Sequence, residues 1–241
     1  MNNIKLKVDE GLDGDQVLWR YMDLSKFISL LSTDNLWLAK STTFKDQKEG
    51  KFPSIMQDEL DAIYTELGED ENSQIKNAND FKRFLCNNAF ISCWHKNTEE
   101  NMLMWQIYGQ DTNLVAIQTT VASLKESIKD TGMNGISFIL KEIDYSGHGN
   151  IEDKHYTAPF FVKRPHFSYE NEARILLSTY SAFNPTDDTP TGYPCPVDMK
   201  KLINRIIVHP DSEQWFIGVI KSISKKYDIS SPVSQGAFGN K

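Results

Sequence analysis

The 241-residue sequence has little cysteine and no long apolar run. Its three cysteines, Cys86, Cys93 and Cys195, occur without CxxC spacing, which argues against a disulfide scaffold or a thiolate zinc site. No segment approaches the roughly 20 apolar residues that cross a bilayer, and the first residues lack the apolar core of a signal peptide. We therefore expect a cytoplasmic protein with no membrane partner.

The standard nucleotide-binding and catalytic motifs are also missing. The sequence contains no GxGxxG, GxxxxGK[ST], HExxH, GxSxG or EF-hand pattern. Its histidines form neither an HxH nor an HxxxH pair, so no metal site is predicted. No internal repeat is visible, which argues against a solenoid.

Charge disfavours one class of partner. The chain has 26 basic and 33 acidic residues, for a net charge of −7, so its surface as a whole does not attract duplex DNA. Residues 163–166 (Lys-Arg-Pro-His) form the one obvious basic cluster. This cluster is either an ordinary solvated loop or part of a local groove for a single strand.

What is present indicates an α+β fold. Hydrophobic residues make up 39% and charged residues 24%, as in soluble globular proteins. Strand-like runs at 17–21, 36–39, 89–94, 114–119, 135–145, 172–178 and 205–208 alternate irregularly with helical stripes. We expect a single domain over residues 1–229, with a mixed or mostly antiparallel sheet and flanking helices. Residues 184–196 contain four prolines and are predicted to be irregular. Residues 230–241 are predicted to be a tail that contains a short strand at 232–234 and is otherwise flexible.

Several polar side chains occur in hydrophobic surroundings, where they are costly unless they pair or act on a ligand. They are Arg20 and Tyr21 at a strand end, Asp46 and Glu49 beside Phe44, and Glu170, Glu172 and Arg174 at the start of a later strand. Because alternate residues of a strand share a face, residues 170, 172 and 174 are expected to lie together. They form either a salt-bridge cluster or part of a ligand site.

Two further groups also have two interpretations each. The apolar-aromatic run at 102–108, with Trp105 and Tyr108, indicates either a packed helix or a stacking platform for a ring. Cys93 and His95 are either a nucleophile pair or, in the simpler reading, a buried inert thiol beside an unrelated histidine.

The order of five segments resembles a known bacterial family. The segments are LWRYM, LWLAKSTTFKDQKEG, ISCWH, MLMWQIYG and FSYENEARIL, and they extend over residues 18–210. Together they resemble the family catalogued as domain of unknown function two-nine-seven-one. That resemblance implies no settled activity.

A looser similarity is to ADP-ribosyltransferase folds, which place an Arg or His early, a Ser or Tyr after the next strand and a Glu late. This resemblance implies that NAD is the substrate, with Arg20 as its anchor, Ser41 or Ser92 in support, and Glu172 with Glu170 as catalytic carboxylates. It implies a cofactor-binding set of Arg20, Tyr21, Ser41, Phe44, Asp46, Trp105, Tyr108 and Arg174. The resemblance also implies a role as a toxin or phage-defence effector. It implies an acceptor that is either a protein or a nucleic acid.

Two other functions stay open from the residues themselves. One is a noncatalytic ligand-binding or sensor module with a buried network of Arg20, Asp46, Glu170 and Arg174. The other is a Mg²⁺-dependent nuclease, which needs Asp46 and Glu49 to converge with Glu170 and Glu172.

Overall fold

The computed structural model describes residues 5–44, 54–67, 75–109, 111–129, 135–147, 155–179 and 190–238. The predicted site residues Asp46 and Glu49 lie outside these ranges. The strands are β1 Lys7–Val8, β2 Val17–Asp23, β3 Asn35–Lys40, β4 Ala89–Lys96, β5 Leu114–Thr120, β6 Gly135–Glu142, β7 Glu172–Thr179, β8 Gly192–Pro196, β9 Arg205–Val208 and β10 Val233–Gln235. The α-helices are α1 Leu24–Thr33, α2 Ser54–Leu67, α3 Ala78–Asn87, α4 Met102–Tyr108, α5 Val121–Ser127, α6 Met199–Leu202 and α7 Gln214–Lys226.

The ten strands form one mixed sheet, in the order β1-β6-β7-β4-β2-β5-β9-β10, with β3 bridging β4 and β8. The β1–β6 and β9–β10 pairs are parallel, and the other pairs are antiparallel. The predicted α+β class with a mixed, mostly antiparallel sheet is therefore confirmed. In the described ranges, no helix is both long and apolar enough to cross a membrane.

Local sequence explains the first helix. The Asp23 carboxylate accepts a hydrogen bond from the Lys26 amide at 2.8 Å, which satisfies one of the free N–H groups at the start of α1. Phe27, Leu30 and Leu31 then place one face of the helix in the core. Asp34 ends the helix in the left-handed region with φ of 52°, and β3 follows directly.

Alternation along β2 separates two packing layers. Leu18 and Met22 join the main core, which contains side chains of α1, α5, α6 and α7. Trp19 and Tyr21 point to the opposite face and pack with Trp105 of α4. Helices therefore cover both faces near β2.

The prediction for residues 184–196 is wrong for the last five of them, because Gly192–Pro196 forms β8. Among the strands of the described residues, it pairs only with β3, along Asn35–Ala39. An edge strand needs backbone donors on one side only, so its prolines are tolerated there.

The C-terminal segment is held against the sheet over its first residues. In β10, Val233–Gln235 pairs with β9, and the Gln235 side chain donates to the carbonyls of Pro210 and Ser212. The short strand predicted at 232–234 is therefore present one residue later, as β10, and the predicted boundary at residue 229 falls before it.

Candidate functional site

The sheet is split in the middle of β4. One edge of β4 pairs with β7 along Ala89–His95. The other edge is shared, since β2 pairs with it at His95 and Lys96, and β3 pairs with it at Phe90 and Ile91. The short stretch 92–94 lies between these partners, where β2 and β3 diverge around α1.

Arg20 fills this split. Its Nη1 donates to Ser92 Oγ at 2.5 Å and to the Cys93 carbonyl at 3.2 Å, and its Nη2 lies 3.4 Å from the Trp37 carbonyl. The guanidinium therefore replaces strand-to-strand hydrogen bonds that the diverging backbones cannot make. Its carbon also lies 5.7 Å from the centre of the Trp94 ring, in the range of a cation–π contact. Burial lowers the pKa of Arg20, which nevertheless keeps its charge at neutral pH.

A cavity of about 720 Å³ opens at the split. Its walls come from β2, α1, β3, the end of the 3₁₀ helix Ser41–Thr43, β4, α4 and β8. The lining includes Arg20, Tyr21, Met22, Lys26, Leu30, Leu36, Trp37, Phe44, Ile91, Cys93, Tyr108 and Pro194. This volume suits a cofactor-sized ligand. The wall is mainly apolar and aromatic, with Arg20 as its inner cation.

Below the cavity wall lies a compact ion network. Glu172, at the start of β7, is 4% exposed and accepts from Arg174 Nε at 2.7 Å and from Lys163 Nζ at 2.9 Å. Arg174 also donates to the Phe160 carbonyl at 2.6 Å, and Lys163 contacts Glu170 at 2.5 Å. The two acids and two bases balance in charge, as a buried network requires.

Opposing effects set the protonation of Glu172. Burial raises its pKa, but the positive charges of Arg174 and Lys163, with their hydrogen bonds, lower it to about 2. The Tyr145 hydroxyl accepts from the Glu172 backbone N–H at 2.8 Å and fixes the start of the strand. Glu172 is therefore a fixed, ionised carboxylate at neutral pH.

Two expectations about this region are corrected. Glu170 does not extend the strand, because it ends the 3₁₀ helix Pro165–Glu170 and is followed by Asn171 with φ of 38°. The network therefore forms through a turn rather than by alternation along one strand face. In the basic cluster 163–166, residues 164–166 are exposed as in a solvated loop, whereas Lys163 belongs to the network with 8% of its side chain exposed.

Three side chains connect the network to the cavity. The Cys93 thiol hydrogen bonds to the Glu172 carboxylate and lines the cavity, and burial raises the pKa of this thiol. The Phe44 ring lies 5.8 Å from the Arg174 guanidinium carbon and also lines the cavity. Tyr108 also lines the cavity with a half-exposed ring, and desolvation of its hydroxyl, followed by the negative charge of Glu172, raises its pKa. The carboxylate therefore lies one side chain behind the cavity surface.

The other predicted residues are placed differently. Ser41 donates to the Cys86 carbonyl at 2.9 Å and does not line the cavity as described, whereas Ser92 is the serine that contacts Arg20. Trp105 is 0% exposed and donates to Glu100 at 3.0 Å, so it belongs to the core beside Tyr21 instead of offering a free face.

His95 does not pair with Cys93 as a general base would. Its Nδ1 lies 2.6 Å from the Glu170 carbonyl, and burial lowers its pKa. The neutral imidazole that donates from Nδ1 helps to hold the turn at Glu170. Because burial raises the pKa of Cys93, its thiol stays protonated at neutral pH and is a poor nucleophile. This geometry fits the interpretation of Cys93 as an inert thiol.

Sequence reasoning missed Trp37 as a site residue. Its neighbours Leu36 and Leu38 are fully buried, while Trp37 is 48% exposed at the cavity. A tryptophan at the polar position of an alternating strand is the signal that could have found it.

The carboxylates do not form a metal site in the part of the chain that the structure describes. No group of three or more His, Cys, Asp or Glu side chains there could hold a metal ion. Glu170 and Glu172 instead direct their oxygens at Lys163 and Arg174.

No protein-family model matches the chain, so the resemblance to the family of unknown function gains no support, and no curated protein matches either. Among solved structures, the chain is similar to DarT of Thermus sp. 2.9. The complex with ADP-ribosylated ssDNA is 10% identical with a TM-score of 0.41, covering 94% of this chain and 96% of that one. The complex with carba-NAD+ is 11% identical, with a TM-score of 0.42 and coverage of 93% and 97%. The complex with NAD+ is 12% identical, with a TM-score of 0.37 and coverage of 93% and 96%.

Proposed function

We propose that the protein is an ADP-ribosyltransferase-like enzyme that binds NAD in the cavity at the split and breaks its nicotinamide–ribose bond. The observation that carries this proposal is the pairing of a partly buried guanidinium in a cofactor-sized aromatic cavity with an ionised carboxylate directly behind the wall. Arg20 suits a pyrophosphate or ribose oxygen, since among the described residues three of its five N–H groups have acceptors. The apolar wall suits the nicotinamide ring.

In this mechanism the C1′–N bond breaks and its electron pair leaves with nicotinamide. The positive charge left at C1′ is stabilised by the fixed negative charge of Glu172. An acceptor nucleophile then bonds to C1′ and loses a proton. A ribose hydroxyl takes the place of the Cys93 thiol as hydrogen-bond donor to Glu172, and Glu170 acts through Lys163 as a positioning residue.

Binding is tested by thermal melting with and without NAD. A ligand that binds only the folded protein raises its melting temperature, so millimolar NAD should raise it by several degrees. Arg20→Lys keeps the charge but loses the planar fork, and it should greatly reduce the shift. Arg205→Lys, at an exposed position of β9, is the matched control and should keep the shift. No shift for the wild-type protein would refute the NAD site.

Catalysis is tested by measuring nicotinamide release with protein and single-stranded DNA acceptors. Glu172→Gln should abolish turnover at temperatures far below its melting point. Lys163→Met disturbs the same network but keeps the carboxylate, so it should retain measurable turnover. Equal turnover in the wild type and Glu172→Gln would contradict the catalytic assignment.

A second function is favoured by one specific observation. Both Glu172 oxygens already accept hydrogen bonds from Arg174 or Lys163, as expected for a structural network in a noncatalytic binding module. Such a protein would show the NAD-dependent melting shift but release no nicotinamide. Loss of stability would then be the whole effect of Glu172→Gln.

A further inference from the structure

Trp37 presents a large aromatic surface at the mouth of the cavity. Its side chain is 48% exposed, whereas its strand neighbours Leu36 and Leu38 are fully buried. About half of the Trp37 surface is therefore left uncovered by the protein at the cavity mouth. This uncovered aromatic surface is available to a ligand in the cavity.

The indole is held by the neighbouring strand. Trp37 lies opposite Pro194 in the β3–β8 register, and Gly192 lies two residues before Pro194 on the same face of β8. A Cβ atom built on Gly192 would lie 2.2 Å from Cζ2 and 2.3 Å from Cε2 of the ring. The ring therefore packs directly on the Gly192 backbone, and only glycine permits this approach.

The same wall contains the cavity's inner cation. The Trp37 carbonyl lies 3.4 Å from Arg20 Nη2, and both residues line the cavity with the half-exposed ring of Tyr108. A ligand with a planar ring and an attached phosphate could place the ring on the indole and the phosphate near the guanidinium. Nucleotides have this combination of groups.

We propose that Trp37 is a stacking platform for a planar aromatic ring of the substrate, and that Gly192 is the positioning residue that holds the indole in place. This inference rests on the proposed function, because it specifies how the same cavity holds NAD. The ring is either adenine or nicotinamide, and separate probes distinguish the two. Trp105, which with Tyr108 was a stacking candidate in the sequence, cannot serve because it is fully buried.

The test is isothermal titration calorimetry with NAD, AMP and nicotinamide mononucleotide. Trp37→Ala should weaken NAD binding about tenfold or more, as loss of an aromatic stack does in other proteins. Trp37→Phe should restore part of the affinity, since a ring face remains. If the ring is adenine, Trp37→Ala should weaken the binding of AMP and leave the binding of nicotinamide mononucleotide unchanged. If the ring is nicotinamide, the variant should weaken the binding of the mononucleotide and leave that of AMP unchanged.

A double-mutant cycle tests the role of Gly192. Gly192→Ala should weaken binding about as much as Trp37→Ala, and the two changes together should cost no more than Trp37→Ala alone. Gly218→Ala is the matched control, because nothing lies within 4 Å of a Cβ added there. It should leave the affinity unchanged. Additive losses would show that Gly192 does not act through the indole and would overturn its positioning role.

The outcomes separate this inference from the proposed function. If the wild-type protein binds and cleaves NAD and Trp37→Ala binds it equally well, the stacking platform is refuted and the function stands. If AMP binds with dependence on Trp37 while NAD does not bind, the platform stands and the function fails. If AMP, nicotinamide mononucleotide and NAD all fail to bind the wild-type protein, the stacking platform is refuted. The proposed function is then tested separately by the nicotinamide-release assay.

Discussion

Glu172→Gln should destabilise the fold strongly, because it removes the negative charge from a buried network. The folded pKa of about 2, against 4.5 for an unperturbed glutamate, corresponds to about 3 kcal/mol of stabilisation at neutral pH. Gln keeps the shape but leaves the charges of Lys163 and Arg174 without their shared anion. Urea unfolding at neutral pH should therefore show a loss of about 3 kcal/mol.

The same reasoning fixes the sign of the pH dependence. A carboxyl whose pKa is lowered by folding takes up protons first in the unfolded state, so its stabilisation is complete above the unfolded value near 4.5. It is lost as the pH falls through the folded value near 2. Between about pH 6 and about pH 3.5, the stability difference between the wild type and Glu172→Gln should shrink by about 1 kcal/mol.

Glu142→Gln is the control for this experiment. Glu142 contacts Lys96 at 2.5 Å, but its side chain is 40% exposed, so losing this pair should cost well under about 1 kcal/mol. If the two variants lost similar stability, or if the difference at Glu172 did not change with pH, Glu172 would not be the ionised centre of the network.

Three other changes have defined outcomes. Ser41→Ala should lower the free energy of unfolding in urea by about 1 kcal/mol, because the hydrogen bond to the Cys86 carbonyl is lost, and should leave nicotinamide release unchanged. A loss of turnover without a loss of stability would show that Ser41 acts in the site. Glu100→Ala should cost about 1–3 kcal/mol, because it leaves the buried Trp105 indole N–H without its acceptor; a neutral result in urea unfolding would refute this. Asp34→Gly should raise the melting temperature, because glycine adopts the φ of 52° without steric cost, and a lower melting temperature would contradict that reading.

Local features of the fold could be predicted from the sequence. The cap at Asp23 and the spacing of Phe27 and Leu31 depend on residues within one or two helical turns, so this local sequence is enough to predict α1 and its start. Most strand-like runs were also located. The two-residue β1 was missed, and so was β8, which forms through pairing with β3 and not through its own proline-rich composition.

The site depended on contacts that no local pattern contains. Arg20 was identified as a polar residue in an apolar strand, but its role follows from a split that arises where two strands share one edge of β4. The network was expected from residues 170, 172 and 174. The central cation of the network, Lys163, lies outside this alternating pattern. It pairs with both Glu170 and Glu172, which are separated by the left-handed residue Asn171.

The shortness of the two outermost strands affects how the protein behaves when crowded with copies of itself. β1 has two residues and covers β6, which has eight, while β10 has three residues and covers β9. A two- or three-residue edge offers few free backbone groups to a strand of another molecule. Removing β1 would leave Ile139 and Leu140 of β6 without their strand partner, which lengthens the edge to which a second chain could add. These short strands therefore reduce edge-to-edge aggregation at the two ends of the sheet.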